Sequence, residues 1–441
     1  MSQSGGPGLE KTLGLFALVA YGVGDTLGAG IYALLGKVAD IVGCAYWLSF
    51  LAALVAAGLT ALTYAELVSR YPHAAGEAHY SFMAFSNARF SYILGFLVLM
   101  SGVVSMATVS HGFAGYLEVF RPGIPRPAVI FIFFSVLAAI TLIGMRESSA
   151  VNIFCTIVEV SGILVIIAAG LPFLAKTDFT AFQPGLETAG QKAGAVLGGA
   201  VFAFYAFIGF EDMVKTSEET HDPQKTLPRA MLISFAVIGV LYLLTAFSAV
   251  AVLGPGPLAQ SNAPLMSVVE KGMPGFPRWL FTMIALFAVS NTALANFIMS
   301  TRLLYGMARD GLMPRALESI HPRFRTPDAA TFLVFLIVLA LALTGTITRL
   351  AEATAFLLLF SFFSMNTTLI VLKLKKDTSS PPPGFQISML VPVLGALACL
   401  SLGAYVSNAA ILKVALLAAA AVILYEFTAP LRCRTGRERV S

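Results

Sequence analysis

Charged residues are scarce in this chain. Asp, Glu, Lys and Arg make up 12% of its 441 residues, hydrophobic residues make up 58%, and the mean hydropathy is +0.84. A soluble domain carries about 25% charged residues, so the composition excludes an ordinary soluble fold and indicates a membrane protein. The formal net charge of +5 comes from basic residues spread through short loops, which argues against a nucleic-acid partner.

The motifs of catalysis and metal binding are missing as well. Four solitary cysteines support neither a disulfide framework nor a metal site: Cys44, Cys155, Cys399 and Cys433. His73 and His79 are six residues apart in a loop, which is not a recognised zinc spacing. No GxxxxGK[ST] loop is present to bind ATP. We therefore expect neither an enzyme nor a cofactor, and no cleavable signal peptide is visible.

Long apolar runs are abundant. A membrane-spanning helix needs about 20 mostly apolar residues, and twelve segments meet this requirement. They are 13–43, 46–69, 90–119, 128–145, 149–174, 193–219, 229–253, 276–308, 329–348, 352–373, 387–408 and 411–430. The first, third, sixth and eighth are longer than a bilayer requires, which indicates tilt or a break.

Basic residues are divided unequally between the two sides of these spans. With the N-terminus inside, 19 of the 28 Lys and Arg residues fall on the N-terminal side. Cytoplasmic loops carry the excess of positive residues in membrane proteins. The bias predicts a multi-pass protein of the cell membrane with both termini in the cytoplasm.

Glycine and a carboxylate interrupt two of the spans. The first interruption is Tyr21-Gly-Val-Gly-Asp-Thr-Leu-Gly-Ala-Gly-Ile31, and the second is Phe204-Tyr-Ala-Phe-Ile-Gly-Phe-Glu-Asp212. Because hydrocarbon cannot hydrogen-bond to free backbone groups, such a break is tolerated only inside protein or beside a water-filled cavity. Two breaks in corresponding positions are typical of a transporter whose substrate site lies near the middle of the membrane.

The spacing of the breaks predicts the organisation of the chain. Gly28 and Gly209 are about 180 residues apart, so two five-helix repeats are expected at 13–174 and 193–373. An odd number of helices per repeat inverts the second copy. Two peripheral helices in 387–430 follow a linker at 379–384, and cytoplasmic tails are expected at 1–12 and 431–441. The predicted fold class is an all-α polytopic membrane protein with twelve transmembrane helices.

Four motifs resemble the amino acid–polyamine–organocation superfamily, with the last two most similar to its cationic amino acid transporter branch and bacterial relatives. They are Gly24-Asp-Thr-Leu-Gly-Ala-Gly-Ile-Tyr32; Tyr64-Ala-Glu-Leu67 followed by Tyr71-Pro72 and Gly76; 204–219 with Asp222-Pro223; and Arg302-Leu-Leu-Tyr-Gly-Met-Ala-Arg-Asp-Gly-Leu312. The resemblance implies a leucine-transporter-type fold, in which five-helix inverted repeats with broken first and sixth helices enclose an amino acid site.

The resemblance also implies which residues form that site. Backbone N–H groups around the first break are expected to bind the substrate carboxylate, because glycine permits close approach and a helix N-terminus favours negative charge. Tight helix packing is the alternative role of these small residues. The second break is expected to offer carbonyl groups to an ammonium group, with Phe207 or Phe210 as an aromatic lid. The predicted substrate-binding residues are Asp25, Thr26, Gly28, Ala29, Gly30, Phe207, Ile208, Gly209 and Phe210.

Asp25 and Glu159 are the two ionisable residues placed deepest in the spans. A charge at the centre of a span costs about 2.5–3.5 kcal/mol, so such residues are functional candidates. Proton-coupled or sodium-independent relatives often carry a lysine at the Glu159 position, and this chain departs from that pattern. A proton is the favoured coupling ion, with Asp25 as a neighbour of Glu159; sodium and a purely structural carboxylate are the alternatives. A second candidate role for Asp25 is contact with the amino group or with a cationic side chain of the substrate.

Other polar residues have open interpretations. Glu211 and Asp212 either complement a helix N-terminus or form a gating ion pair. Arg309 and Asp310 are either solvated or part of a cytoplasmic gate. The polar run 290–292 is expected to line either the ion site or the side-chain pocket.

The leading functional prediction is secondary active transport of L-amino acids by alternating access, with an amino acid, a coupling ion and the lipid bilayer as partners. Exchange of amino acids and transport of amines or polyamines are the alternatives within the superfamily. A transporter-like nutrient sensor is less favoured, because only about eleven residues follow Pro430.

Overall fold

The computed structural model describes residues 9–120, 123–261, 263–344, 347–375, 384–406 and 408–432. Regular structure in these ranges is helical, and β-contacts there are limited to two isolated bridges. Eight helical segments of the described residues are long and apolar enough to cross a membrane. An all-α polytopic membrane protein is therefore confirmed at this level, while the count of twelve spans, the inverted repeat and the domain boundaries stay predictions.

The helices are named in chain order. The first seven are α1 (Leu15–Thr26), α2 (Ala29–Val42), α3 (Trp47–Arg70), α4 (Gly76–Phe85), α5 (Ala88–Phe120), α6 (Arg126–Ile143) and α7 (Met145–Gly170). The next nine are α8 (Ala189–Ala206), α9 (Pro223–Leu253), α10 (Pro255–Gln260), α11 (Pro264–Gly272), α12 (Arg278–Arg309), α13 (Asp328–Thr344), α14 (Ile347–Lys375), α15 (Leu390–Gly403) and α16 (Asn408–Arg432). A 3-10 helix, Phe210–Glu219, separates α8 from α9.

Both glycine-containing spans are interrupted where the sequence predicts a break. The first span divides into α1 and α2, with Leu27 and Gly28 between them. The second changes from the α-helix α8 to the 3-10 helix through residues 207–209. A parallel bridge between Leu13 and Thr220 joins the start of α1 to the end of the 3-10 helix. The two interrupted elements are therefore tied together at one end.

Helix α12 lies at the centre of the described structure. It packs on α1, α5, α7 and the 3-10 helix, and most of its apolar stretch is buried inside the protein. The predicted third and eighth spans are long because α5 and α12 continue without a break for 33 and 32 residues. At 1.5 Å per residue each is about 50 Å long, which exceeds the hydrocarbon thickness of about 30 Å.

The structure differs from the sequence-based expectation in several connecting segments. Helices α4, α10 and α11 lie between the predicted spans, where no helix was expected. They have only six to ten residues, which is too short to cross a membrane. Helix α15 has 14 residues, fewer than the predicted span 387–408. Residues 379–383 of the predicted linker, 1–8 of the first tail and 433–441 of the last tail lie outside the described residues.

Candidate functional site

The first break exposes the start of α2 without a side-chain cap. Gly28 precedes α2, and no side chain of the described residues hydrogen-bonds to its first N–H groups as a cap. The first turn of a helix has N–H groups with no intrahelical partner, and these groups attract anions. A Cβ at Gly28 would collide with the Thr292 side chain, and a Cβ at Gly30 would lie 2.8 Å from the Cα of Ala206. Glycine is thus required sterically at both positions.

The second break brings its backbone directly against the first. Gly209 has a φ of +129°, a conformation that glycine adopts readily and L-residues rarely do. A Cβ there would lie 2.9 Å from the backbone N of Thr26. The Gly209 N–H donates to Glu211 Oε2 at 2.9 Å. The two interruptions therefore meet, which the sequence alone could suggest only by analogy.

A cavity of about 50 Å³ lies where the breaks meet. Of the predicted substrate-binding residues, six line it: Asp25, Thr26, Gly28, Gly30, Ile208 and Gly209. Nine further residues line it, three from the second break and six from other helices: Tyr205, Glu211 and Asp212, and Ser101, Ser105, Thr292, Asn296, Met299 and Leu358. Ala29 begins α2 beside the cavity.

Phe207 and Phe210 place their rings away from the cavity. The Phe207 ring packs against Tyr242, with centroids 5.1 Å apart, and against Phe235. The Phe210 ring contacts Phe235 as well as Tyr64 and Phe362. Both side chains are fully buried. In this conformation the two residues can contribute main-chain groups to the site, and their rings form part of the core.

Ser101, Ser105 and Asn296 line the cavity but were not singled out in the sequence analysis, and each lies four residues from another polar lining residue. Ser101 and Ser105 are four apart on α5, and Thr292 and Asn296 are four apart on α12. Residues four apart lie on one face of a helix, so polar pairs at this spacing in apolar helices were an available signal. The three residues of the polar run 290–292 have different surroundings. Thr292 lines the cavity, Asn291 donates to Glu159 Oε2, and Ser290 donates to the Leu286 carbonyl of its own helix.

Three buried polar atoms at the cavity have no hydrogen-bond partner among the described residues. They are Asp25 Oδ2, Thr26 Oγ1 and Thr292 Oγ1. Buried polar side-chain atoms are nearly always hydrogen-bonded, and leaving one unsatisfied costs about 1–3 kcal/mol. These atoms are suitably placed to bind a polar ligand.

A buried ionic network extends from the cavity wall. Lys215 Nζ donates to Asp212 Oδ1 at 3.1 Å and to Glu77 Oε1 at 2.7 Å. Glu77 also accepts from the Tyr64 hydroxyl at 3.1 Å. Asp212 thus forms an ion pair rather than only complementing a helix terminus, whereas Glu211 accepts the hydrogen bond from Gly209.

Glu159 belongs to a separate buried cluster behind α1. Its Oε2 accepts from Asn291 Nδ2 at 3.3 Å, and Asn291 Oδ1 accepts from Asn152 at 2.8 Å. Thr156 joins this cluster to α1 by donating to the Ala20 carbonyl at 3.1 Å. Glu159 does not line the cavity. Asp25 lines the cavity together with Glu211 and Asp212, so the expected pairing of Asp25 with Glu159 stays a prediction.

The connection between α3 and α4, the start of α4, the end of the 3-10 helix and the end of α12 meet in a polar cluster. We call this cluster, formed by His73, His79, Glu218, Arg309 and Asp310, the latch. The imidazole rings of its two histidines stack with centroids 4.2 Å apart, and Asp310 lies 2.9 Å from His79 Nδ1. Arg309 donates to Glu218 at 2.5 and 2.7 Å.

The latch brings together histidines whose sequence spacing gave no metal signal. Ligand atoms of His73, His79 and Asp310 lie within 4.8 Å of one another, as metal ligands do. Arg309 Nη2, however, lies 2.6 Å from His73 Nε2, so a cation already occupies the environment of that nitrogen. The latch is a set of hydrogen bonds and ion pairs that connects the 71–85 segment, the 3-10 helix and the end of α12.

Comparison with known proteins identifies the family. The sequence profile of the amino acid permease family matches residues 13–424. The chain belongs to this family. The assignment to the amino acid–polyamine–organocation superfamily is thereby confirmed, and the family consists of transporters rather than enzymes.

Relatives differ in their named substrates. The chain is 28% identical over 400 residues to "Cationic amino acid transporter 4, vacuolar" of Arabidopsis thaliana, covering 86% of this permease and 65% of the relative. It is 26% identical to "Branched-chain amino acid permease BcaP" of Bacillus subtilis (strain 168), covering 90% and 89%. It is also 26% identical to the "Methylthioribose transporter" of the same bacterium, again covering 90% and 89%. The chain therefore spans about two thirds of the plant relative.

Proposed function

We propose that this permease is a secondary active transporter of L-amino acids that works by alternating access. The meeting of two helix breaks at a buried polar cavity carries the proposal. The N-terminus of α2 offers N–H groups to an α-carboxylate. Opposite it, Asp25, Glu211 and Asp212 offer negative charge to an α-ammonium group.

Charge at the cavity favours a substrate with a cationic side chain. Three carboxyl groups line the cavity: Asp25, Glu211 and Asp212. Lys215 forms ion pairs with both Asp212 and Glu77, so its single positive charge is divided between two carboxylates. A zwitterionic amino acid brings one ammonium group, whereas a basic amino acid brings two positive charges. The plant relative is named for cationic amino acids and the bacterial one for branched-chain amino acids. The negative charge of the cavity supports a cationic amino acid as the substrate of this permease.

An amine or polyamine is the second candidate substrate. The same carboxyl groups would bind its ammonium groups, but the uncapped start of α2 would then have no anionic partner. An amino acid satisfies both ends of the site, so it is preferred. The "Methylthioribose transporter" shows that a relative's name need not refer to an amino acid, and substrates without a carboxylate therefore belong in the test.

We further propose a five-plus-five inverted repeat, both termini in the cytoplasm and proton coupling in the cell membrane. The paired helix breaks support the repeat, and the bias of Lys and Arg supports the orientation. Carboxyl groups inside the membrane support a proton as the coupling ion. Sodium bound at the Glu159 cluster is the competing possibility, because carboxylate and amide oxygens suit hard cations.

Counterflow into proteoliposomes tests the proposal. Vesicles containing the purified permease are loaded with one unlabelled compound, and uptake of labelled L-arginine, L-leucine, putrescine or methylthioribose is measured. We expect L-arginine to exchange fastest. Exchange of putrescine or methylthioribose without exchange of any amino acid would contradict the proposal.

A pair of glycine variants locates the site. Gly28→Ala places a methyl group against Thr292, and we expect it to lower amino acid counterflow at least tenfold. Gly112→Ala is the matched control, because Gly112 lies in the membrane-spanning helix α5 with open space around its Cβ position. Equal counterflow in the two variants would argue against carboxylate binding at the first break.

A further inference from the structure

Asp25 and Asp212 form a pair of carboxyl groups at the cavity. Asp25 lies near the end of α1, Asp212 lies on the 3-10 helix, and both line the cavity while being at most 5% exposed. Both carboxyl groups lie at the wall of the same cavity of about 50 Å³, so they are close neighbours. Asp25 Oδ2 has no hydrogen-bond partner among the described residues. The pair thus offers an available oxygen to the cavity.

The charges around the pair do not balance if every group is ionised. Asp25, Glu211, Asp212 and Glu77 are four buried carboxyl groups, and Lys215 is the ammonium group that contacts two of them. Lys215 lies closer to Glu77 than to Asp212, at 2.7 against 3.1 Å. Two adjacent carboxylates cannot both remain ionised without a cation, and they share a proton instead.

Groups on each neighbouring element are compatible with a proton at this pair. Thr292 and Asn296 face it from α12 and are uncharged at all relevant pH values. The hydroxyl group of Tyr21 on α1 donates to the Ala295 carbonyl. Tyr64 on α3 and Lys215 both donate to Glu77 on α4. On the 3-10 helix Glu211 is held by the Gly209 N–H. Lys215 is therefore the counter-charge nearest to the pair in the described structure.

We propose that Asp25 and Asp212 together bind one proton, taken up through the cavity, and that this shared proton is the one transported with the substrate. The inference rests on the proposed function and specifies its coupling site. The proton bonds to one carboxylate oxygen of the pair when the cavity faces one side, and it leaves to water when the cavity faces the other. The step is a proton transfer between a carboxylate oxygen and water, and no covalent bond to the substrate forms or breaks. Glu159 does not line the cavity, and its Oε2 accepts a hydrogen bond from Asn291 behind α1.

The test compares pH profiles in proteoliposomes, with L-arginine and L-leucine as the probes. Wild-type accumulation is driven by an inward proton gradient, and counterflow is measured from pH 5 to pH 8. In Asp25→Asn and Asp212→Asn we expect gradient-driven accumulation to fall at least tenfold and residual counterflow to lose its pH dependence. Asp178→Asn, on an exposed loop, is the control and keeps the wild-type profile.

The remaining variants separate the possible results. Glu159→Gln is expected to retain a pH-dependent profile whatever its rate; a flat profile in that variant, with wild-type profiles in the two Asn variants, would overturn the inference. If the Asn variants are inactive, Asp25→Glu and Asp212→Glu decide, because a displaced pH profile supports the pair and an unchanged one refutes it. Absence of amino acid counterflow in the wild type would instead contradict the proposed function itself.

Discussion

Gly209 contacts Thr26 so closely that a Cβ on the glycine would lie 2.9 Å from the backbone N of Thr26. This contact joins the two helix breaks, which are far apart in the sequence, at the wall of one cavity. The positive φ of Gly209, +129°, turns the chain from α8 into the 3-10 helix. Close approach and backbone conformation therefore both require glycine at this position.

Gly209→Ala should abolish substrate binding, because its methyl group separates the two breaks. Gly185→Ala is the matched control: Gly185 also has a positive φ, +92°, but open space surrounds its Cβ position. We expect a fall of at least tenfold in amino acid counterflow for Gly209→Ala and less than twofold for the control. An equal effect of the two substitutions would mean that backbone strain, rather than the contact with Thr26, limits transport.

Phe207→Leu should lower stability more than it alters substrate preference. The ring packs against Tyr242 and Phe235 in the core, and truncation of a buried aromatic side chain costs a few kcal/mol, at most about 3–5 for replacement by alanine. We therefore expect a lower Tm and an unchanged ranking of competing substrates in counterflow. A changed ranking at constant Tm would instead favour the aromatic lid that the family resemblance implies.

The sequence predicted the two breaks because glycine and a carboxylate in an apolar span leave few alternatives. It could not predict that Asp25 shares the wall of the cavity with Asp212, whereas Glu159 does not line the cavity. That pairing depends on the rotation of α1 relative to the 3-10 helix, which the local pattern does not encode. The orientation of the Phe207 ring could not be predicted for the same reason, since an aromatic residue next to a break can face either the cavity or the core.

The sequence also did not predict the short helix α4, which carries several polar residues. Helix α4 carries Glu77, the partner of Lys215, and His79, which contacts Asp310. Its ten residues have too little apolar periodicity to distinguish them from a loop. The contacts of the latch and of the ionic network are non-local, so they become visible only in the folded structure.

Breaking the buried pair between Arg302 and Glu219 should destabilise the permease strongly. Arg302 donates to both carboxylate oxygens of Glu219 at 3.1 Å, and both side chains are at most 1% exposed. Removal of one partner of such a pair leaves an uncompensated buried charge and costs about 3–5 kcal/mol. We expect Glu219→Gln to lower the Tm in detergent by several degrees or more.

The exposed pair between Arg278 and Glu270 provides the control for this prediction. Its arginine side chain is 79% exposed, and exposed ion pairs contribute about 0–1 kcal/mol. Glu270→Gln should therefore leave the Tm nearly unchanged. Similar Tm values for Glu219→Gln and Glu270→Gln would show that the bond between Arg302 and Glu219 does not hold the 3-10 helix against α12.

The latch should weaken as the pH falls from 7 to 5. Burial is the largest cause that lowers the pKa of His73 from 6.5 to about 3; Asp310 opposes the shift, and the neighbouring His79 and Arg309 add to it. Burial opposes ionisation of Asp310, but its hydrogen bond with His79 and the nearby basic groups hold its pKa below the usual value. Asp310 therefore stays ionised in this range, and His73 stays neutral in the closed latch.

The sign of the effect follows from proton binding. In the open latch His73 is exposed to water and has its ordinary pKa of 6.5. Below pH 6.5 the open state therefore binds a proton that the closed state does not, so acid favours opening. Above pH 6.5 His73 is neutral in both states, and pH has no effect on the equilibrium through this residue. With pKa values of 6.5 and about 3, closure loses about 2 kcal/mol between pH 7 and pH 5. Protection factors for hydrogen exchange over residues 71–85, which are corrected for the intrinsic pH dependence of exchange, should fall accordingly in the wild type and much less in His73→Asn. An equal fall in His73→Asn would assign the pH dependence to a group other than His73.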